Sequence, residues 1–370
     1  MKVNKILVST SGKKYTVYVG NNIINKTSLI LKKRLPNIKK VAIVYDDNLP
    51  KKVVKKLKLS LKKYQINFYK FHSVDKIKNI KVATYLIEDL IKKNFNRSDC
   101  IIAFGGGVLS DLTAFVASVV KRGIRFVNIP TTLLSQVDAS VGGKTAINSN
   151  QGKNLIGTFY QPEFIIADIA ILNTLPFRER ICGYGEILKH SLILDRKFFA
   201  WLTKNGKKII HGNKEALKYS IIKSCKIKSQ IINLDEKEKN IRMILNFGHT
   251  FGHAFEATKK FSKKLNHGEA VLLGMIIACE FSHKNKLLSL KDFNLINNHY
   301  DSLNLPKNIK KFFNRKDVKK IIKFMIKDKK NFNSKLNLIL LEKIGKTIKP
   351  GKYLTSIEKV RKFLNFKLSK

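Results

Sequence analysis

CIIAFGGGVLSDLTAFVASVV, residues 100–120, runs from an apolar stretch through three glycines into a second apolar pattern, and its reading decides the fold class. Cys100 to Phe104 has the continuous apolarity of a strand buried on both faces. Leu112, Phe115, Val116 and Val119 then recur at helical spacing. A glycine turn between strand and helix lets backbone N–H groups approach a phosphate at the positive end of the helix dipole. Gly105-Gly106-Gly107 lacks the G-x-G-x-x-G spacing of the Rossmann fingerprint, so a tight turn without a ligand is the competing reading.

Working outward, the flanking segments repeat the alternation. Residues 1–20 alternate apolar and polar positions and predict a hairpin around Ser11-Gly12. VAIVYDD (41–47) and INFYKF (66–71) read as strands. Val53, Leu57, Leu61 and Tyr64 mark a helix after the first strand, and Ile80, Ala83, Ile87, Leu90 and Ile91 one after the second. IRFVNIP (124–130) and FIIADIAIL (164–172) supply two further strands, the latter expected to be the last. Strand and helix in alternation predict a parallel α/β sheet. A long polar loop, SQVDASVGGKTAINSNQGKNLIGTFYQP (135–162), lies between those two strands, and loops of that length are usually functional. Gly143-Lys144-Thr145 is not a P-loop, because residue 138 is Asp where that motif needs glycine.

Pro176 marks an expected domain boundary, beyond which the chain reads as helical. Leu217, Ile221, Cys225 and Ile232 form an apolar stripe with Lys228 in line, a lysine that either snorkels to water or points into a site. The segment 270–281 is apolar nearly all round and predicts a buried helix. Val318, Ile321, Ile322 and Met325 predict another, ending at Lys327-Asp328-Lys329-Lys330. LNLILL (336–341) predicts a strand, and Ile357, Val360 and Leu364 a closing helix.

The 370 residues are 44% hydrophobic, enough for two domains with cores of their own. No run approaches the ~20 apolar residues of a membrane span, and the N-terminus lacks a signal-peptide core, so a cytoplasmic protein is expected. Cys100, Cys182, Cys225 and Cys279 are scattered among apolar neighbours, which argues for reduced thiols. Lys+Arg 73 against Asp+Glu 26 gives a net charge of +47, with only ten arginines. The lysines are spread along the whole chain with no stripe of arginine or aromatic residues. Specific nucleic-acid binding is therefore not expected, and attraction of anionic substrates is a by-product of the charge.

The polar chemistry concentrates in NFGHTFGHAFEATKKFSKKLNHGE (246–269). His249 and His253 lie four residues apart on one helical face, with Glu256 three residues further on. His267 and Glu269 form a second cluster. Such grouping suits a zinc site, and the spacing alone leaves His249 and His253 open as joint ligands.

The motifs GGGVLSDLTAFVAS, RGIRFVNIPTTLLSQVDASVGGKTAIN, GKNLIGTFYQP, LNTLPFRE, GYGEILKH, LNFGHTFGHAFE, HGEAVLLGM and DKK, in this order, resemble the 3-dehydroquinate synthase family of sugar phosphate cyclases. The resemblance spans nearly the full chain. It implies a Rossmann-like α/β NAD-binding domain over 1–175 and an all-α metal- and substrate-binding domain over 176–370, with the active site between them. It also implies conversion of 3-deoxy-D-arabino-heptulosonate 7-phosphate to 3-dehydroquinate. The route is transient oxidation at C5 by NAD, loss of phosphate, re-reduction and aldol closure, so that NAD is not consumed.

The same resemblance implies zinc, or cobalt, on Glu186, His249 and His267, with His253 in proton transfer or phosphate contact. Asp138, Lys144, Asn154, Lys189, Lys228, Arg242, Asn246 and Lys329 match positions that hold the substrate's carboxylate, hydroxyls and phosphate. Lys153 and Arg122 match the same site, Arg122 from the partner of an implied homodimer. Cofactor contacts fall on Asp46, Gly106, Gly107, Val108, Asp111, Thr131, Thr132 and Thr174, with Lys144 and Lys153. Asp75 and Lys78 stand where the family has Glu-x-x-Lys, one methylene shorter in reach. Ser191 replaces a glycine common in the family. Polyol dehydrogenases and other sugar phosphate cyclases of the same architecture are the rival readings; the former have no need of so many cations for a phosphorylated acid.

Overall fold

The protein is represented by a computed structural model, which describes residues 3–262, 264–327 and 335–369. Its contacts divide it into two compact units, residues 1–176 with 212–237 and residues 177–211 with 238–370. The chain thus leaves the first unit at Pro176, returns for 26 residues and leaves again, where the sequence suggested a single cut at 175/176.

The first unit is built on seven strands: β1 (Asn4–Ser9), β2 (Lys14–Gly20), β3 (Lys40–Asp46), β4 (Gln65–Phe71), β5 (Cys100–Gly105), β6 (Arg125–Pro130) and β9 (Phe164–Asp168). Their order across the sheet is β1-β2-β9-β6-β5-β3-β4, antiparallel for β1 with β2 and parallel elsewhere. A short hairpin, β7 (Ile147–Ser149) with β8 (Gly152–Ile156), stands apart. Helices α1 (Thr27–Arg34), α2 (Lys51–Ser60), α3 (Ile80–Lys92), α4 (Gly107–Val119) and the returning α7 (Lys214–Leu234) complete the unit.

Strand alternation sorts the core into two layers. Ala42, Val44, Ile101 and Ala103 pack into one cluster with Leu86, Leu90 and Leu112. Val41, Ile43, Ile102 and Phe104 pack into the other with Leu31, Leu57 and Leu61. A sheet covered on both faces needs apolar residues at every strand position, and all six residues of β5 are buried.

Two expectations need correction here. FIIADIAIL is a strand only to Asp168; this β9 is the last strand of the first unit in chain order, as expected, and pairs between β2 and β6. The Asp168 carboxylate accepts the N–H groups of Ala170, Asn22 and Ile24, which bends residues 169–174 into a 3-10 helix. The long loop is also partly structured, with a π-helical turn over Ser135–Ala139 and the β7–β8 hairpin.

The second unit holds α5 (Phe177–Leu194), α6 (Arg196–Ile210), α8 (His249–Thr258), α9 (His267–Lys284), α10 (Leu290–Ser302), α11 (Val318–Lys327) and α12 (Ile357–Ser369). It is not purely helical. Lys335–Asn337 pairs with Leu354–Ser356, and Leu341–Lys343 with Lys346–Thr347. LNLILL is therefore broken, with Leu338 to Leu340 buried but outside any strand.

Residues 181–193 of α5 are all buried, so this helix is the spine of the unit. Ser191 sits in it without disturbance, its hydroxyl donating to the Leu188 carbonyl. Helices α8 and α9 cross very closely. Gly248 adopts φ 79, and a Cβ at Gly274 would lie 2.1 Å from the Gly248 carbonyl oxygen, so both positions need glycine. Among the described residues no helix is long and apolar enough to cross a membrane.

Candidate functional site

In the first unit, sheet growth reverses between β3 and β5, the place where open α/β sheets bind ligands beyond their carboxyl ends. Asp46 ends β3 and Gly105 ends β5; a Cβ at Gly105 would lie 3.5 Å from that of Asp46. Gly106 is the N-cap of α4 and offers no side-chain cap, so the N–H groups of Gly107 and Val108 open the helix toward the turn. Thr131 donates its N–H to Gly105, and the Thr132 hydroxyl accepts the N–H of Ser135.

A polar network forms beside this turn. Lys78, 5% exposed, donates to Asp111 at 2.5 Å and to Asn154 at 2.6 Å. Asp75 pairs with Lys153, so its shorter side chain still reaches across to the hairpin. The hairpin is tied down by Asn148, whose N–H donates to the Lys78 carbonyl at 2.8 Å. Burial pushes the Asp111 carboxyl up, against the opposing pull of Lys78, Lys228 and Lys144. Asp75, Lys78, Asp111, Lys153 and Asn154 are thus brought together from three separate stretches of chain.

The π-turn carries Asp138. Its neighbour Gln136 is anchored by donating to the carbonyls of Pro130 and Asp168. Lys228 on α7 points inward, its ammonium 2.7 Å from Asp138 Oδ1 and 2.6 Å from the Asp138 carbonyl oxygen. Lys228 is buried and does not snorkel to water. Lys144 is exposed beside Gly143. Arg122 lies exposed on the 3-10 turn Val120–Arg122 at φ 64, without an ion-pair partner among the described residues. Thr174 is exposed at the end of the 3-10 helix after β9, its hydroxyl donating to Ile171. The network does not include these last two.

In the second unit, donor atoms of Glu186, His249 and His267 lie within 4.8 Å of one another. Glu186 comes from the buried centre of α5, His249 from the first position of α8 and His267 from the first position of α9. Glu186 Oε1 is 3.6 Å from His249 Nε2, and Oε2 pairs with Lys189. His249 Nδ1 is 3.2 Å from the Phe247 carbonyl. A carbonyl only accepts, so the proton sits on Nδ1 and the Nε2 lone pair faces Glu186. Burial, together with the charges of Lys189, His253 and His267, holds the His249 pKa well below its usual value, which favours the neutral, metal-binding form.

His253 is exposed one turn further along α8, its ring 5.3 Å from that of His249 and 5.9 Å from that of His267. It belongs to a second, overlapping donor group with Glu256 and His267. Arg242 is buried and Asn246 half-buried on the 3-10 turn Ile241–Asn246 that leads into α8. Asn246 donates to Glu238 at 2.6 Å. Lys329 lies outside the described residues. Glu256 lies on α8 seven residues after His249, on the helical face the spacing predicts, and the family motifs assign it no role.

The comparisons with known proteins agree in direction. The family profile described as 3-dehydroquinate synthase N-terminal matches residues 68–182, and that described as 3-dehydroquinate synthase C-terminal matches residues 183–331. A 3-dehydroquinate synthase of Pelagibacter ubique is 51% identical over 348 residues, 94% of this chain and 95% of that one. Among solved structures, a 2-deoxy-scyllo-inosose synthase complexed with carbaglucose-6-phosphate, NAD+ and Co2+ matches at TM-score 0.86 and 25% identity, over 98% of each chain. A 2-epi-5-epi-valiolone synthase from Streptomyces hygroscopicus with NAD+ and Zn2+ bound shares the fold, at TM-score 0.85 and 21% identity over 98% of each chain. With both profiles and a half-identical relative covering nearly its whole length, the chain belongs to the 3-dehydroquinate synthase family of enzymes.

Proposed function

We propose that this chain converts 3-deoxy-D-arabino-heptulosonate 7-phosphate to 3-dehydroquinate and phosphate, with NAD held by the first unit and zinc by Glu186, His249 and His267. The observation that carries the reading is the convergence of those three donor atoms within 4.8 Å in a chain of this family. Two imidazoles and one carboxylate suit zinc, leave positions open for substrate hydroxyls, and accept cobalt equally well. When bound, NAD and zinc supply reversible hydride acceptance and polarisation of the C4 and C5 hydroxyls.

The residues of the chain then divide the remaining work. Asp46 suits a ribose hydroxyl, and Gly106, Gly107 and Val108 at the start of α4 suit a pyrophosphate. Thr131, Thr132 and Thr174 offer hydroxyls, and Lys78, held by Asp111 and Asn154, offers a fixed ammonium beside Asp75 and Lys153. The substrate carries a carboxylate and a phosphate, which call for cations. Lys144, Lys153, Lys189, Lys228, Arg242 and Lys329 provide them, with Arg122 coming from a second copy in a homodimer. Asp138 orients the Lys228 ammonium, and Asn154 and Asn246 bind hydroxyls. Exposed His253 moves a proton between substrate and solvent through its imidazole. The reaction takes place in the cytoplasm.

The test is incubation with the heptulosonate phosphate, trace NAD and zinc, following phosphate, dehydroquinate and NADH together. Stoichiometric phosphate and dehydroquinate without NADH are expected. Accumulating NADH would indicate a polyol dehydrogenase, and no phosphate release would reject the reading.

A further inference from the structure

Glu256 touches the metal-ligand set without belonging to it. Its side chain is 9% exposed on α8, and its Oε2 lies 2.8 Å from His267 Nδ1. We propose that Glu256 is a positioning residue that fixes the rotamer and tautomer of His267 so that its Nε2 is presented to the metal. The inference rests on the zinc reading given above.

The physical case begins with freedom. His267 is the first residue of α9, its side chain 41% exposed, so packing alone leaves the ring free to turn. The backbone at this point is fixed. Asn266 and Glu269 form a capping box, and Arg178 grips Glu269 with two bonds of 2.6 Å. What remains is rotation about the side-chain bonds, and the Glu256 carboxylate removes it. A carboxylate accepts from Nδ1–H, which leaves the lone pair on Nε2.

The two histidines are therefore supported by different acceptors. His249 Nδ1 meets the neutral Phe247 carbonyl, and His267 Nδ1 meets a carboxylate. An anionic acceptor makes the imidazole a stronger donor to a metal, so His267 gains basicity as well as orientation. Helix α8 supplies both a ligand, His249, and the support for the other histidine two turns later. The overlapping group of His253, Glu256 and His267 could instead take the ion directly. The 2.8 Å bond already occupies Glu256 Oε2 and His267 Nδ1, which assigns Glu256 to support.

The experiment measures Zn2+ affinity by chelator competition on the full-length chain, as wild type, Glu256→Gln, Glu256→Ala, His253→Ala and His267→Ala. In parallel, the His267 tautomer in metal-free protein is read by NMR of 15N-histidine samples. Glu256→Ala is expected to weaken zinc about 10- to 100-fold and to mix the tautomers. Glu256→Gln, which keeps an acceptor oxygen, is expected to retain the Nδ1–H form and lose less affinity. Unchanged affinity and tautomer in Glu256→Ala would overturn the proposal. So would equal, near-complete loss in both Glu256 variants with matching loss in His253→Ala, the signature of direct ligation. Wild-type protein that fails to bind zinc but holds the Nδ1–H tautomer through Glu256 would reject the zinc reading, and with it the ligand role proposed here. The glutamine variant guards against a misfolded alanine variant.

Discussion

Glu186 and Lys189 pair one turn apart on α5, each side chain 2% exposed, while the other carboxylate oxygen faces His249 Nε2 at 3.6 Å. A carboxylate removed from water needs compensating charge close by. Glu186 has it from Lys189 on one side, and the open side is the one turned toward the histidines. Metal binding would add positive charge at that side.

Lys189→Met follows directly. Removing one partner of a buried pair costs on the order of 3 kcal/mol. The loss in denaturant-derived stability is expected to be larger in zinc-free protein than with zinc bound, because the ion supplies the missing positive charge. Equal losses with and without zinc would contradict this account.

The two exposed-side histidines separate on metal content. His267→Ala is expected to lose bound zinc after dialysis, whereas His253→Ala largely keeps it, read by elemental analysis. Equal loss in both would reassign the ligands.

Gly274→Ala tests the helix crossing. Its Cβ would fall 2.1 Å from the Gly248 carbonyl oxygen, so α8 and α9 must separate. Overpacking of this kind costs about 1–3 kcal/mol. Because His249 starts α8 and His267 starts α9, zinc affinity is expected to fall as well. Stability lost without any change in affinity would show that the crossing does not set the ligand geometry.

A pH effect is expected from His299, which lies in the core of the second unit with Nε2 2.7 Å from the Tyr184 hydroxyl. Burial pushes its imidazole down to about 4. An unfolded chain takes up this proton near pH ~6.5, before the folded chain does. The stability tied to neutral His299 is thus intact above ~6.5 and is lost as pH falls toward 4, by about 3 kcal/mol at most. His299→Gln should flatten the fall in denaturation midpoint across that window; an unaltered slope would exclude His299 as its source.

Much of the fold is legible in the sequence because periodicity reports burial directly. The continuous apolar run of Cys100 to Phe104 marked a strand covered on both faces, and the all-round apolarity of 270–281 marked a buried helix. Periodicity failed where a single polar group redirected the chain. FIIADIAIL looks like one strand, but the Asp168 carboxylate gathers three backbone N–H groups and ends it.

By itself, then, the sequence determined most of the element types, the order of the family motifs and the grouping of histidines and carboxylates over 246–269. Only the tertiary structure decided what those residues face. It returned α7 to the first unit and turned Lys228 inward onto Asp138. It brought Glu186, from 63 positions before His249, to that histidine's Nε2, and it set Glu256 behind His267. Spacing along a helix fixes which side chains share a face. Hydrogen bonds and ion pairs between distant segments depend on how helices cross, and in this chain the crossing of α8 and α9 is set by two glycines whose backbones meet.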